Sequence, residues 1–265
     1  MKIILGTANV NNKYGLNENN LNLKEFNKVR NYSKKNNFYM EVAEGYKNLK
    51  YISTAKTRLF YKINFYKNNI NEINKIIKNK NLFCIMFHNI KSMNYSGFKE
   101  LYNYINLLKS KKIIKNLGIS IYDLKDLKTI QKYNFDFVQI PINIFNQTFN
   151  EQNTLSLRSR GTKFVARSIF FQGTIFNNGY LKLNSMILNN KIKSIQKELY
   201  KKNIDILKFY LNYIKMNSWL WGFVVGVDSL TQLKQIKNTY QRKKFIYNYQ
   251  KYRIHEKKII DPRNW

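Results

Sequence analysis

Four residues able to move or steer protons follow one another along the chain: Glu41, Tyr46, Lys62 and His88. Each lies in, or shortly beyond, one of the short apolar runs 38–43, 59–64 and 82–87. Together they suit the reduction of a carbonyl group. Hydride arriving at a carbonyl carbon builds negative charge on the oxygen, which a nearby acid must neutralise. Tyr46 can supply that proton. A free phenol titrates near ~10 and is a sluggish participant at neutral pH unless its phenolate is stabilised. An ammonium at Lys62 would stabilise it, Glu41 would hold the ammonium through a charge-assisted bond, and His88 would donate a hydrogen bond to the substrate oxygen. Singly these residues carry little, since Tyr46 is one of 20 tyrosines. A strand-end histidine also reads as a structural hydrogen bond, and Glu41 as a salt bridge at a barrel mouth. Their order is the stronger signal.

Such groups converge only if the intervening chain brings successive strand ends to one side. Short β-favouring runs at residues 2–7, 38–43, 59–64, 82–87, 116–120, 136–140, 163–168 and 222–227 alternate with stretches whose apolar residues return every three or four positions. Within 71–79, Ile73, Ile76 and Ile77 share one helical face, and Asp123 can cap a helix carrying Leu124, Leu127 and Ile130. Residues 191–217 are amphipathic and leave one helix or two open. Polar loops are expected at 17–22 and 143–153, the second long enough to be functional. The two prolines, Pro141 and Pro262, interrupt no expected helix. This pattern predicts an α/β fold, a (β/α)8 TIM barrel forming one domain over residues 1–265, with its site at the carboxyl ends of the strands.

Composition narrows the function classes. The chain carries 47 Lys and Arg against 15 Asp and Glu, a formal net charge of +32. That charge attracts polyanions, but the lysines run from Lys2 to Lys258 among Asn and Ile with no nucleic-acid-reading motif. Lys, Asn, Ile and Tyr share A/T-rich codons, so base composition can generate the excess without selection for binding, and no specific nucleic-acid partner is expected. The single cysteine, Cys84, sits in an apolar run and reads as a buried, inert thiol. Two separated histidines and one cysteine make no metal-ligand motif, and a Gly-x-Ser-x-Gly elbow is absent. No run of about 18 apolar residues suggests a membrane span, and no signal peptide is evident. A soluble cytoplasmic protein is expected.

With these residues in view, the chain resembles the aldo/keto reductase superfamily. Ile4-Leu5-Gly6-Thr7-Ala8 with Tyr14-Gly15 is similar to the family's opening, and Glu41-Val42-Ala43-Glu44-Gly45-Tyr46 matches the spacing of its Asp-Thr-Ala-x-x-Tyr motif. Lys62 and His88 match the next two catalytic positions. Leu117-Gly118-Ile119-Ser120 resembles the Gly-x-Ser strand end, and Val138-Gln139-Ile140-Pro141 with Asn143 the strand that follows. The stretches 166–173 and 225–233, and the ending 259–265, resemble a bacterial branch associated with surface-sugar synthesis.

The resemblance implies an NAD(P)H-dependent oxidoreductase that reduces an aldehyde or ketone, a sugar-derived one included. It implies Tyr46 as proton donor, Lys62 and Glu41 as its tuners, and His88 as the group orienting a small-molecule carbonyl substrate. NADPH, with NADH open, would be held by Ser120 and Gln139 at the carboxamide, Arg167 where the family commonly stacks a ring, Ser168, and Gly226 and Ser229 near the phosphates. Read without the resemblance, Gly226 permits a turn and Ser229 caps the next helix. Three departures matter. Glu41 and Val42 replace the family's Asp and Thr, Ile121 replaces an Asn beside Ser120, and the stretch from Tyr46 to Lys62 is short and lacks the family's Gly-x-x-Glu pattern. A displacement of about 1 Å in a catalytic group can cost about a hundredfold in rate. The alternative is a barrel that binds nicotinamide cofactor or sugar without reductase turnover.

Overall fold

Strand pairing runs in sequence order and returns to its start. In the computed structural model, which describes residues 1–13, 20–46, 57–64, 70–78, 82–173, 176 and 183–264, eight parallel strands close into a barrel. They are β1 (Lys2–Gly6), β2 (Tyr39–Ala43), β3 (Leu59–Ile63), β4 (Leu82–Phe87), β5 (Asn116–Ser120), β6 (Phe137–Pro141), β7 (Lys163–Arg167) and β8 (Gly222–Val225). Described helices are α1 (Leu23–Lys35), α2 (Ile70–Ile77), α3 (Phe98–Ser110), α4 (Leu124–Ile130), α5 (Leu155–Arg158), α6 (Met186–Lys201), α7 (Ile206–Met216), α8 (Leu230–Gln241) and α9 (Lys257–Ile260). The expected (β/α)8 barrel is the observed architecture. Tyr14, Gly15, Trp265 and much of the expected 17–22 loop lie outside the described residues.

Two packed layers follow from strand periodicity. Successive side chains on a strand point to opposite faces, so the outward positions, such as Ile85, Phe87, Val138 and Phe164, join the large core beneath the helices. The inward positions form a second cluster of Ile4, Tyr39, Phe60, Cys84, Met86, Phe137 and Val165, sealed by Phe83 and Trp221. That cluster fills the barrel and makes it a packed core. Cys84 belongs to it as a free buried thiol, and burial pushes its pKa well up. Gly118 is required here, because a Cβ would lie 2.9 Å from the Phe137 carbonyl oxygen and 3.0 Å from Met86 Cγ. Two residues further along the same inward rows stand Glu41, Lys62, His88, Ser120, Gln139 and Arg167. Parity therefore sends six polar side chains to one layer at the carboxyl end.

Element edges differ from expectation by a residue or two, set at β6 by a tertiary bond and at β7 by local backbone conformation. β6 begins at Phe137 because the Asp136 carboxylate accepts from Leu117 N at 2.7 Å and pairs with Lys109. β7 stops at Arg167, since Ser168 turns to a positive φ of 57°. The amphipathic stretch at 191–217 is two helices. Asn203 adopts φ 50°, and the Asp205 side chain accepts from Lys208 N at 2.8 Å to cap α7. Asp123 caps α4 in a capping box with Asp126.

The 143–153 connection is less solvated than its polar composition suggests. Ile144, Phe145 and Phe149 are buried, and Asn143 Oδ1 accepts from Phe145 N at 3.0 Å and Asn146 N at 2.9 Å. Its asparagines thus satisfy buried loop backbone. No described helix is long and apolar enough to cross a membrane.

Candidate active site

The strand ends open on a cavity of about 850 Å³. Its wall includes Glu41, Tyr46, Lys62, His88, Ser120, Arg167, Ser168 and Gly226. All four residues singled out for proton chemistry are therefore brought together.

At the base, Lys62 Nζ lies 2.8 Å from Glu41 Oε1, and the two side chains are buried at 5% and 6% exposure. The Thr7 hydroxyl donates to the Glu41 carbonyl at 2.7 Å and steadies the backbone of β2. The other carboxylate oxygen, Glu41 Oε2, accepts from Gln139 Nε2. Gln139 stands on β6, opposite β2 in a ring of eight strands. The additional methylene of Glu41 thus serves a span across the barrel, and the carboxylate still reaches Lys62. Burial lowers the Lys62 pKa, the Glu41 carboxylate opposes that shift, and the Arg167 charge adds to it.

His88 follows β4, its N–H donating to the Ile63 carbonyl at 3.0 Å. Its Nδ1 lies 3.1 Å from the Asn64 side-chain oxygen. Burial, and then the neighbouring Lys62 charge, depress its pKa from 6.5 to about 4, so the ring is neutral near pH 7. If Nδ1 carries the proton, Nε2 is an acceptor; with the Asn64 amide turned over, Nδ1 accepts and Nε2–H faces outward as a donor. A linkage consequence follows from the depressed pKa. As pH falls from 6.5 toward 4 the unfolded chain takes up a proton that the folded chain refuses, so stability drops across that window. A loss on the order of 2 kcal/mol is expected, and His88→Asn should shrink it in urea denaturation run at both pH values. An equal loss in both proteins would refute a buried neutral imidazole.

Tyr46 is placed by a tight turn: its N–H donates to the Ala43 carbonyl at 3.0 Å, so Glu44 and Gly45 fold the chain back at the end of β2. Its half-buried side chain lines the cavity that Lys62 and His88 also line.

On the far wall, Ser120 is buried at the end of β5. Ile121, next to Ser120, buries its side chain, and its carbonyl accepts from Arg167 Nη2 at 3.3 Å. Ser168 is held in its left-handed turn by Asn143 Nδ2, which donates to its carbonyl at 3.1 Å. Phe171 and Gln172 share positive φ values of 49° and 55°, so strained backbone clusters on this wall. Gly226 lines the cavity. Ser229 does not; its hydroxyl caps α8, accepting from Gln232 N at 3.2 Å.

Several contributors escape sequence reasoning. Asn64 backs His88. Tyr122 is clasped on the wall between the Arg167 and Arg263 guanidinium groups, 3.8 and 3.7 Å from its ring centre. No local pattern signals contacts between residues so far apart in the chain.

A protein-family model described as the aldo/keto reductase family matches residues 47–256. That span contains Lys62, His88 and the wall from Ser120 to Arg167, and begins one residue after Tyr46. No curated protein sequence matches the chain. Among solved structures, the holo form of an aldo-keto reductase from Bacillus halodurans is similar at TM-score 0.69 and 13% identity, over 95% of this chain and 90% of that one. A glycerol dehydrogenase from Gluconobacter oxydans is similar at TM-score 0.68 and 12% identity, over 92% and 87% of the two chains. At such identities the structural likeness speaks for the fold, and the family match spans most of the sequence. The ring of eight strands, the polar layer at its carboxyl end and the matched span agree: this chain belongs to the aldo/keto reductase family of oxidoreductases.

Proposed function

We propose that the protein reduces an aldehyde or ketone, sugar-derived carbonyls included, with a nicotinamide cofactor as hydride source and Tyr46 as proton donor. The observation that carries this reading is one cavity lined by Tyr46, His88 and the buried Lys62–Glu41 pair. Lys62 stabilises the phenolate left after proton transfer, and Glu41, braced by Gln139, fixes the ammonium. His88 in its Nε2–H form orients the carbonyl oxygen. That Glu41 reaches Lys62 at 2.8 Å favours a working site over a barrel that binds without turnover.

The residues fit a nicotinamide. Gln139 is not among the residues that line the cavity, but its Oε1 is buried with no hydrogen-bond partner among the described residues, an acceptor suited to a carboxamide N–H, and Ser120, which does line the cavity, stands at the adjacent strand end. Arg167, Ser168 and Gly226 complete that side, with Ser229 reaching the phosphates only through the turn it caps. Arg242 on the wall is a cation suited to a cofactor phosphate, whether of NADPH or of NADH. When bound, the dihydronicotinamide supplies hydride.

Titration into NADPH should change nicotinamide fluorescence, and the protein should oxidise NADPH when offered a carbonyl panel. No binding and no oxidation would overturn the reading. Binding without oxidation of any panel member would leave a cofactor-binding barrel in its place.

A further inference from the structure

Among the described residues one nearly buried cation of the cavity wall makes no salt bridge, while the wall's other unbridged guanidinium, Arg242, is exposed to solvent. Lys62 and Glu41 neutralise each other at 2.8 Å. Arg263 is paired with Asp261 and lies 3.7 Å from Asp123. Arg167 differs. It is 9% exposed, lines the cavity, and among the described residues makes one hydrogen bond, to the Ile121 carbonyl at 3.3 Å, and stacks one face on Tyr122. The remaining wall carboxylates are engaged elsewhere: Asp205 caps α7, and Asp228 accepts from Asn9 Nδ2 at 2.9 Å.

A guanidinium carries five N–H donors and stays charged at any physiological pH. Leaving such a charge buried costs several kcal/mol, which stacking on a phenol offsets only in part. The stacking face and the hydrogen-bonding edge are separate recognition elements, so Tyr122 leaves the edge available. Among the described residues no side chain hydrogen-bonds that edge; Asp261 feels the Arg167 charge only from beyond ion-pair distance, its carboxylate being paired with Arg263. The same positive field helps keep His88 neutral.

We infer that Arg167 is an oxyanion subsite of the reductase cavity, and that the carbonyl compounds reduced there also carry a carboxylate or phosphate. This rests on the proposed reductase reading. It goes further, because carbonyl reduction itself needs no second charge on the substrate. The same edge would suit a cofactor phosphate, so the experiment must separate the two sources.

The test compares 4-carboxybenzaldehyde with its neutral methyl ester, methyl 4-formylbenzoate, in NADPH-dependent reduction by wild type, Arg167→Met and Arg167→Lys. A charge-assisted hydrogen bond predicts that wild type prefers the acid by about 10- to 100-fold in kcat/KM. In Arg167→Met the acid-to-ester ratio should fall toward one, and Arg167→Lys should keep part of it. Equal use of acid and ester by wild type would overturn the proposal. So would a loss of NADPH affinity in Arg167→Met with the acid preference intact, which would place the anion on the cofactor. If neither aldehyde is reduced, the reductase reading fails, and the subsite is scored by terephthalate alone. A rise in wild-type Tm that is absent in Arg167→Met supports the subsite, and no rise in wild type overturns it.

Discussion

Tyr46→Phe is expected to lower kcat for carbonyl reduction by about 10²–10⁴-fold, the range that a positioned general acid contributes. Phenylalanine keeps the ring and removes only the hydroxyl. The loss should therefore appear equally in kcat and kcat/KM, because proton donation to the nascent alkoxide is an interaction of the transition state. Nicotinamide fluorescence should still report NADPH binding by the variant. Among the described residues two phenols line the cavity with His88 and the Lys62–Glu41 pair, and Tyr46, at the end of β2, is the one whose ring is not clasped by cations. Tyr122, the other wall tyrosine, has its ring held between two guanidinium groups. A Tyr46→Phe enzyme within about threefold of wild type would remove this phenol from the proposed mechanism, since the effect of a true general acid is far larger.

Lys62→Met should damage both stability and turnover. Removing one partner of a buried ion pair leaves the other charge uncompensated, a loss of about 3–5 kcal/mol. Glu41 would then have only Gln139 as a partner for its charge. Adding Glu41→Gln to Lys62→Met should recover much of the lost stability, because two neutral side chains of similar volume replace the pair. It should not recover turnover, because the ammonium that stabilises the phenolate remains missing. Denaturant unfolding of the single and double variants, alongside their kcat, separates the two effects. If Lys62→Met unfolds like wild type, the buried pair is not the structural element described here. If the double variant regains turnover, the ammonium has no part in the chemistry.

These two expectations draw on different levels of information. The proton-handling residues were visible in the sequence because strand periodicity is local. Once 38–43, 59–64 and 82–87 are strands, a period of two places Glu41 and Lys62 on the inward face, and a parallel barrel gathers strand ends at one rim. The strands themselves were legible from their apolar runs to within a residue or two at their edges, which a distant bond sets at β6, through Asp136, and a left-handed residue at β7, through Ser168. The helix break at Asn203–Asp205 was not legible, because amphipathic periodicity continues through it and the reversal depends on one left-handed residue and one cap.

Contacts across the barrel were beyond any local pattern. Glu41 meets Gln139 because closure sets β2 opposite β6, and this turns an apparent mismatch in the family motif into a cross-brace. The asparagine behind His88, the tyrosine held between Arg167 and Arg263, and the guanidinium edge left without a carboxylate depend on closure in the same way. Side-chain type and spacing along one strand determined which groups exist and which way they face. The three-dimensional ring decided which of them touch, because distances between residues tens of positions apart are set by how the sheet closes.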